Sequence, residues 1–513
     1  MAENVDVWVA SSLVKIRPDT ERPAGAGDQA ELSAAKGEFV SFQIGLVPGP
    51  GGTARLNDVQ CEGLDGLQVD CWLEEYVEVT QPSHDEPPPG RYPDALLPVE
   101  PTDLAETRAV WVRIGVPEGA DPGPRAGKVV LSLGDGSVEV PVALTVRDFA
   151  LPADPPTLVM AYGLYEQKLR AKYPDRYDEM LGRFKANLRE HRNTHLAFPA
   201  TDIPVPDISF GDDGLTMDFA AFDAAVEENL AHGMNALDVP LPVNFNSKTI
   251  ELETDYSDEQ LRQIAAGYES HLADRGWLDM AYFFIIDEPG RKHFDAVKKY
   301  YGLLEEAAPR IKRRCDFGYG GYGGHGDEVE QAAYRELADH ITIWCPHIDC
   351  LDDEFLAERQ AAGDEVWWYI CCSAKHPYPN FLIDYPNIDS RVPFWMLWKY
   401  GVTGFAYWTV NWWNEDPFTD PHSYPHAVGD GMLVYPGSDG PVNSIRWEIT
   451  LEGVQDYEYL ALLDRLAGGD EQARAALARV EEVARSTTEY TTDPAVLLSV
   501  REQVGDAIEA LAG

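Results

Sequence analysis

From residue 157 to residue 466 the chain repeats one pattern, a short apolar or aromatic run followed by a stretch with helical spacing. The runs are 158–164, 194–198, 236–241, 280–286, 314–319, 341–346, 365–371 and 404–410; the helical stretches lie near 176–191, 219–232, 257–275, 291–308, 327–338, 352–362, 388–400 and 443–466. The third stretch carries its own punctuation, because Ser257 and Gln260 make a capping box and Gly276 follows the last turn. Strands that alternate with helices pair in parallel, since each helix returns the chain to the same end of the sheet. Eight such units predict a (β/α)8 TIM-type barrel. An open doubly wound sheet is the competitor, but no Gly-x-Gly-x-x-Gly follows the first run.

Residues 1–150 read as β throughout, in runs such as Val7–Ile16, Glu38–Leu46, Leu67–Val79, Ala109–Val116, Lys128–Leu133 and Val138–Val146. The last two flank Gly134-Asp135-Gly136, a hairpin connection. Short strands without helices predict an N-terminal β-sandwich. Inside it, Thr80–Glu106 carries Pro87-Pro88-Pro89-Gly90 and reads as a long loop, either functional or docked on a neighbour. A proline-rich linker, 151–156, separates the sandwich from the barrel at 157–466, and the Ala-, Arg- and Glu-rich 467–513 forms a short helical C-terminal tail.

Charge and cysteine content exclude several classes. The sum of 41 basic and 87 acidic residues gives −46, which repels phosphate backbones and anionic membranes, so nucleic acid is not an expected partner. No apolar run reaches the ~18 residues of a membrane span. The first residues lack the basic and apolar regions of a signal peptide, which points to the cytoplasm for the chain as it stands and to secretion only if a leader has been removed. Seven cysteines without a Cys-x-x-Cys pair make neither a disulfide framework nor a zinc ribbon, and no metal or organic cofactor is called for. Homo-oligomerisation is compatible with the sequence and not specified by it.

In a barrel of this kind chemistry sits at the C-terminal ends of the strands. The fourth run ends Ile285-Ile286-Asp287-Glu288-Pro289-Gly290, two adjacent carboxylates at the end of an apolar strand. Apolar surroundings and a like-charged neighbour both favour a protonated carboxyl, the form a general acid needs. Adjacent strand residues face opposite ways, so both reach one pocket only if the chain bends at Glu288, which Pro289 favours. The competing reading is a helix cap or a pair with Arg291 or Lys292.

Other strand ends are rich in aromatic and polar groups. They supply Tyr162, Asn244, His347 with Asp349, Trp368 with Tyr369, and the run Trp408-Thr409-Val410-Asn411-Trp412-Trp413. Flat rings beside amides and carboxylates suit the faces and hydroxyls of a sugar, so a glycan or glycoconjugate is the expected partner. The seventh run ends in Cys371-Cys372 where a Glu would be needed, which removes the nucleophile of the usual two-carboxylate retaining arrangement.

These features resemble glycoside hydrolase family 123 and the related uncharacterised barrel domain. The resemblance is carried by Asp287-Glu288-Pro289, Trp368-Tyr369, Phe405-Ala406-Tyr407-Trp408, Leu433-Val434-Tyr435-Pro436-Gly437, Ser444-Ile445-Arg446 and Glu452-Gly453-Val454-Gln455-Asp456-Tyr457-Glu458. It implies a retaining exo-β-N-acetylgalactosaminidase in which the substrate's 2-acetamido group is the nucleophile. By position, Glu288 is then the acid and base, Asp287 holds the acetamide N–H, and Tyr369 meets the acetamide oxygen. Trp408, Trp412 and Trp413 floor the sugar.

Three alternatives stand beside it. One is an inverting or otherwise different glycosidase with Glu288 as acid and Asp349, Glu415 or Asp416 as base. Another is a metal-dependent sugar isomerase or deacetylase ligated by Glu288, His347 and Asp349. The last is a non-catalytic glycan-binding protein.

Overall fold

The computed structural model describes residues 5–49, 54–84, 87–151, 158–197, 203–212, 214–318, 331–350 and 353–512. Ten strands build the N-terminal part. One sheet has the order β1 (Val5–Ser11), β3 (Phe39–Pro48), β8 (Arg108–Gly115), β5 (Gln68–Val79), β6 (Gly90–Pro98). The other runs β2 (Ala30–Lys36), β10 (Gly136–Ala150), β9 (Gly123–Leu133), β4 (Ala54–Glu62), β7 (Thr102–Leu104). Phe42, Ile44, Val110 and Val112 from the first face Leu131, Leu133, Val142 and Leu144 from the second, and β8, buried at every residue, is covered on its other face as well. The β9–β10 hairpin turns at Gly134-Asp135, and Gly134 has the positive φ of 55° that such a tight connection needs. The segment 80–106 is not one loop, because β6 and β7 occupy much of it.

Eight parallel strands follow in a single curled sheet: β11 (Val159–Gly163), β12 (His195–Ala197), β15 (Leu237–Asp238), β18 (Ala281–Phe284), β19 (Lys312–Phe317), β20 (Ile343–Pro346), β21 (Glu365–Tyr369) and β22 (Gly404–Tyr407). Their spatial order, β12-β11-β22-β21-β20-β19-β18-β15, is that of a barrel cut open between its second and third strands. Among the described residues no strand ladder closes that seam; Asn235 N donates to Thr194 O at 3.4 Å across it. The expected closed barrel is therefore shown only as this curled sheet.

Two hairpins interrupt the expected alternation, β13 (Asp207–Gly211) with β14 (Gly214–Asp218) and β16 (Asn244–Asn246) with β17 (Glu251–Glu253). The connecting helices are α1 (Glu166–Lys172), α2 (Tyr177–Glu190), α3 (Ala220–Leu230), α4 (Asp258–Arg275), α5 (Phe294–Ala307), α6 (Asp353–Ala362) and α7 (Val392–Lys399). The helix expected near 327–338 is instead a 3-10 turn over Gln331–Leu337, its first residues lying outside the described ones. On α4 the Ser257 hydroxyl accepts from Gln260 N, and Gly276 closes the helix at φ 74°. A short hairpin, β23 (Val434–Pro436) with β24 (Pro441–Asn443), leads into the long helix α8 (Ile445–Ala467), and the tail folds as α9 (Glu471–Ala478), α10 (Val480–Val483) and α11 (Pro494–Ala512). No helix among the described residues is long and apolar enough to cross a membrane.

Helix α8 is buried along almost its whole length, so its polar residues must find partners. Glu448, Glu452, Gln455 and Asp456 recur at helical spacing. Glu452 accepts from Ser12 Oγ at 2.7 Å and Ser41 N at 3.0 Å, and Gln455 exchanges two 2.8 Å bonds with the Phe39 backbone. These bonds fasten α8 to β3 and to the segment that follows β1.

Candidate active site

The carboxyl ends of the parallel strands surround a cleft of about 400 Å³, the size of a small-molecule site. Its residues follow from period-two geometry: on each short strand one residue in two faces the interior. Strand β18 turns Tyr282 and Phe284 inward, β19 turns Arg314 and Asp316, and β21 turns Trp367 and Tyr369. The segments that follow add Tyr165, Asp287, Glu288, Trp408 and Trp412.

Glu288 has φ 42°, a left-handed conformation rare outside glycine. This is the bend the sequence required, and it brings Asp287 and Glu288 to the same cleft. Backbone strain of this kind costs on the order of 1–3 kcal/mol and persists where packing over-determines it. The Tyr369 hydroxyl donates to Glu288 Oε1. Gly318 makes room for that contact, since a Cβ there would lie 2.4 Å from both Glu288 Oε1 and the Tyr369 oxygen.

Burial pushes both carboxyls up. Asp287 is driven well above the usual range by burial, then by Glu288 and Asp316, with Arg314 pulling the other way. Glu288 is also raised by burial, while the Tyr369 hydrogen bond opposes the rise. Two neighbouring acids at the floor of one cleft share protons rather than both ionise.

The charged floor was not legible as a site in the sequence. Arg314 grips Asp316 with two bonds of 2.7 Å and reaches the Tyr282 hydroxyl at 3.3 Å, its guanidinium 4.9 Å above the Trp367 ring. Arg314 and Asp316 sit at i and i+2 in Lys312-Arg313-Arg314-Cys315-Asp316, which reads as an exposed edge until the strand is placed inside a curled sheet. Asp238, at the end of β15, is pushed to about 7 by burial. Asp430 lies in the irregular stretch beyond β22 and has no local signature. Burial raises it to about 6 although Trp408 Nε1 (3.1 Å) and the Tyr407 hydroxyl (3.3 Å) donate to it. Tyr424, Cys371 and Cys372 complete the wall.

Of the residues singled out from sequence, the cleft gathers Asp287, Glu288, Tyr369, Trp408 and Trp412. Trp408 and Trp412 lie 5.4 Å apart with Tyr165 edge-on to both. Trp368 and Trp413 do not join them, and the reason is again alternation. Trp368 faces the helices and packs on Tyr400, while Trp413 turns away to donate to Val434 O at 2.6 Å. Tyr162 is buried edge-on against Trp447. Asn411 is buried as well, clamping the Tyr165 backbone with bonds of 2.8 and 3.0 Å, so it acts on the cleft through Tyr165. Asn244 lies on the β16–β17 hairpin, bonded to Glu253 at 3.2 Å and away from the cleft.

His347 stands behind Tyr369, rings edge to face at 4.8 Å. Its Nε2 accepts from Cys371 N at 3.0 Å, which places the ring proton on Nδ1, where it is donated to Asp349. His347, Asp349 and Cys350 are close enough together to hold an ion, but a ring whose two nitrogens are already committed has no lone pair free for a metal. Asp349 is tied to that ring, and Glu415 and Asp416 are exposed; none of the three lines the cleft.

A family model described as the glycoside hydrolase 123 catalytic domain matches residues 210–463. Among solved structures, a family 123 glycoside hydrolase from Clostridium perfringens, studied for glycolipid glycan hydrolysis, shares 15% identity at a TM-score of 0.69, with 99% of this chain and 98% of that one covered. A GH10 xylanase with a bacterial Ig-like domain, from termite gut, aligns at 11% identity and a TM-score of 0.33 over 83% of this chain and 99% of that one. No curated protein matches the chain by sequence.

Proposed function

We propose that the chain, whose residues 210–463 match the glycoside hydrolase 123 catalytic domain, is a retaining exo-glycosidase releasing β-linked N-acetylgalactosamine with the substrate's acetamido group as nucleophile. The observation that carries this reading is the composition of the cleft. It offers an adjacent pair of raised carboxyls, Asp287 and Glu288; of the other carboxyls that line it, Asp316 gives both oxygens to Arg314, Asp430 gives one each to Tyr407 and Trp408, and Asp238 stands apart at the end of β15, pushed to about 7 by burial. Strand β21, where a retaining nucleophile would stand, presents Tyr369 and thiols.

In this scheme the sugar lies against Trp408 and Trp412. The acetamide oxygen attacks C1 while Glu288 gives its proton to the departing oxygen. Asp287 accepts the acetamide N–H and balances the positive oxazolinium ring, and the Tyr369 hydroxyl orients the acetamide oxygen. Water then attacks C1 from the face the aglycone left, Glu288 takes its proton, and the acetamide is restored with β configuration.

Proton NMR of the first-formed sugar from an aryl β-N-acetylgalactosaminide tests the proposal: the β anomer is expected, with inhibition by a thiazoline. Net inversion, or equal turnover of aryl glycosides lacking the acetamide, would overturn it. Glu288→Gln and Asp287→Asn should each lower kcat by orders of magnitude.

A further inference from the structure

A phenol has one proton to donate. In the free protein the Tyr369 hydroxyl spends it on Glu288 Oε1, yet the mechanism above needs Glu288 protonated and the same hydroxyl on the acetamide. We propose that Tyr369 decides where the acid proton sits: its hydroxyl holds Glu288 as a carboxylate in the free protein, and passes to the acetamide carbonyl when substrate binds, letting Glu288 become the acid. This rests on the acetamido reading of the site.

The surroundings favour an exchange of partner over a movement of the ring. Tyr369 is wedged edge-on against His347, which Asp349 and Cys371 N fix in place. Gly318 leaves space on the other side only because it lacks a side chain. The proton needs no outside source. With the hydroxyl on Glu288, the shared proton rests on Asp287, whose carboxyl burial and its neighbour push well up. On binding, Asp287 gains the acetamide N–H, which favours its ionised form, while Glu288 loses its donor. One proton moves from the Asp287 carboxyl to the Glu288 carboxylate and total charge is unchanged.

The other groups facing Glu288 are Asp316 from β19, His347, Asp349 and Cys350 beyond β20, and Cys371 beyond β21. They are present in both states, so the difference between the states isolates Tyr369. The role is one of positioning a proton, and a merely structural tyrosine would not move the readout below.

Carbon-13 NMR of the labelled Glu carboxyls, with Glu288→Gln to assign the signal, provides the test. In the wild type near neutral pH, Glu288 should be ionised when free, become protonated when N-acetylgalactosamine is bound, and stay ionised with galactose, which has no acetamide. Tyr369→Phe should raise the Glu288 titration in the free protein by about one pH unit, the worth of one hydrogen bond to a charged group. Gly318→Ala, whose methyl parts the two groups but keeps the phenol, should do the same. An unchanged Glu288 titration in Tyr369→Phe overturns the hold on the free protein, and an unchanged protonation state on binding N-acetylgalactosamine overturns the exchange. If N-acetylgalactosamine does not bind at all by calorimetry, it is the acetamido reading that fails, while the comparison of the free proteins still decides whether Tyr369 holds the proton off Glu288.

Discussion

Arg446 holds Asp94 in a two-pronged grip, Nε to Oδ1 at 2.7 Å and Nη2 to Oδ2 at 2.8 Å, joining helix α8 to strand β6. The remaining guanidinium protons go to the carbonyls of Phe381 (2.7 Å), Gly429 (3.0 Å) and Met432 (2.6 Å), and Tyr435 donates to Asp94 at 2.5 Å. A buried pair of this kind stabilises through completeness, because each charge is costly without the other.

Removing one member should therefore leave the loss of the second with little to add. Arg446→Met is expected to destabilise the fold by about 3–5 kcal/mol, and Asp94→Asn combined with Arg446→Met by less than the sum. Urea unfolding followed by tryptophan fluorescence measures both, with a double-mutant cycle giving the coupling.

Adjacent tryptophans should part company in the same way. Trp412 lines the cleft and Trp413 is buried with its indole N–H on Val434 O. Trp412→Ala should raise KM by roughly tenfold, equivalent to about 1.4 kcal/mol, and leave stability near wild type. Trp413→Ala should cost about 3–5 kcal/mol of stability. A protein in which the two effects are exchanged would place the sugar floor elsewhere.

That contrast marks how far the sequence could be read. Asp287 and Glu288 were visible because a strand end, an apolar approach and Pro289 are all local signals. Trp368 and Tyr369 were both read as site residues, although alternation lets only one of two neighbours on a strand face the interior; which one does depends on how the sheet curls. Arg314 and Asp316 resemble solvent-facing charges until β18 and β20 flank them. Asp430 reaches the cleft from a stretch without periodicity. The Glu452–Glu458 segment was recognisable as a pattern, yet its work is to bind Ser12, Phe39 and Ser41 across the junction with the sandwich, and Arg391 just ahead of α7. No one-dimensional pattern names such a partner.

Glu74 on β5 gives a pH signature. Burial pushes its carboxyl up to about 8, with Arg108 and Lys15 opposing, and neither of its oxygens has a hydrogen-bond partner among the described residues. Below about pH 4 both folded and unfolded chains hold this proton. Between there and about 8 only the folded chain holds it, so the Glu74 contribution falls as pH rises through that window and is constant above it. Asp389, Asp238 and Glu458 are shifted in the same direction, but they are common to wild type and Glu74→Gln. The mutant should lose less stability than wild type between pH 5 and pH 8 in urea titrations; parallel losses would remove Glu74 as a contributor.

Cys61 on β4 and Cys71 on β5 bring their sulfurs within 3.5 Å where the chain crosses from one sheet of the sandwich to the other. The hydrogen bond from Cys71 lowers the Cys61 thiol, which makes Cys61 the attacking sulfur. With glutathione disulfide as oxidant, the Cys61 thiolate forms a mixed disulfide and releases one glutathione, and Cys71 then displaces the second. Two protein thiols become one disulfide as glutathione disulfide becomes two glutathiones. Closing so short a loop should stabilise the fold by about 3 kcal/mol and raise Tm, with no effect in Cys61→Ser. Non-reducing peptide mapping should find the Cys61 and Cys71 peptides linked. A persistent glutathione adduct on Cys61, or a Cys371–Cys372 bond formed first, would show that the two sheets cannot bring these sulfurs into bonding geometry.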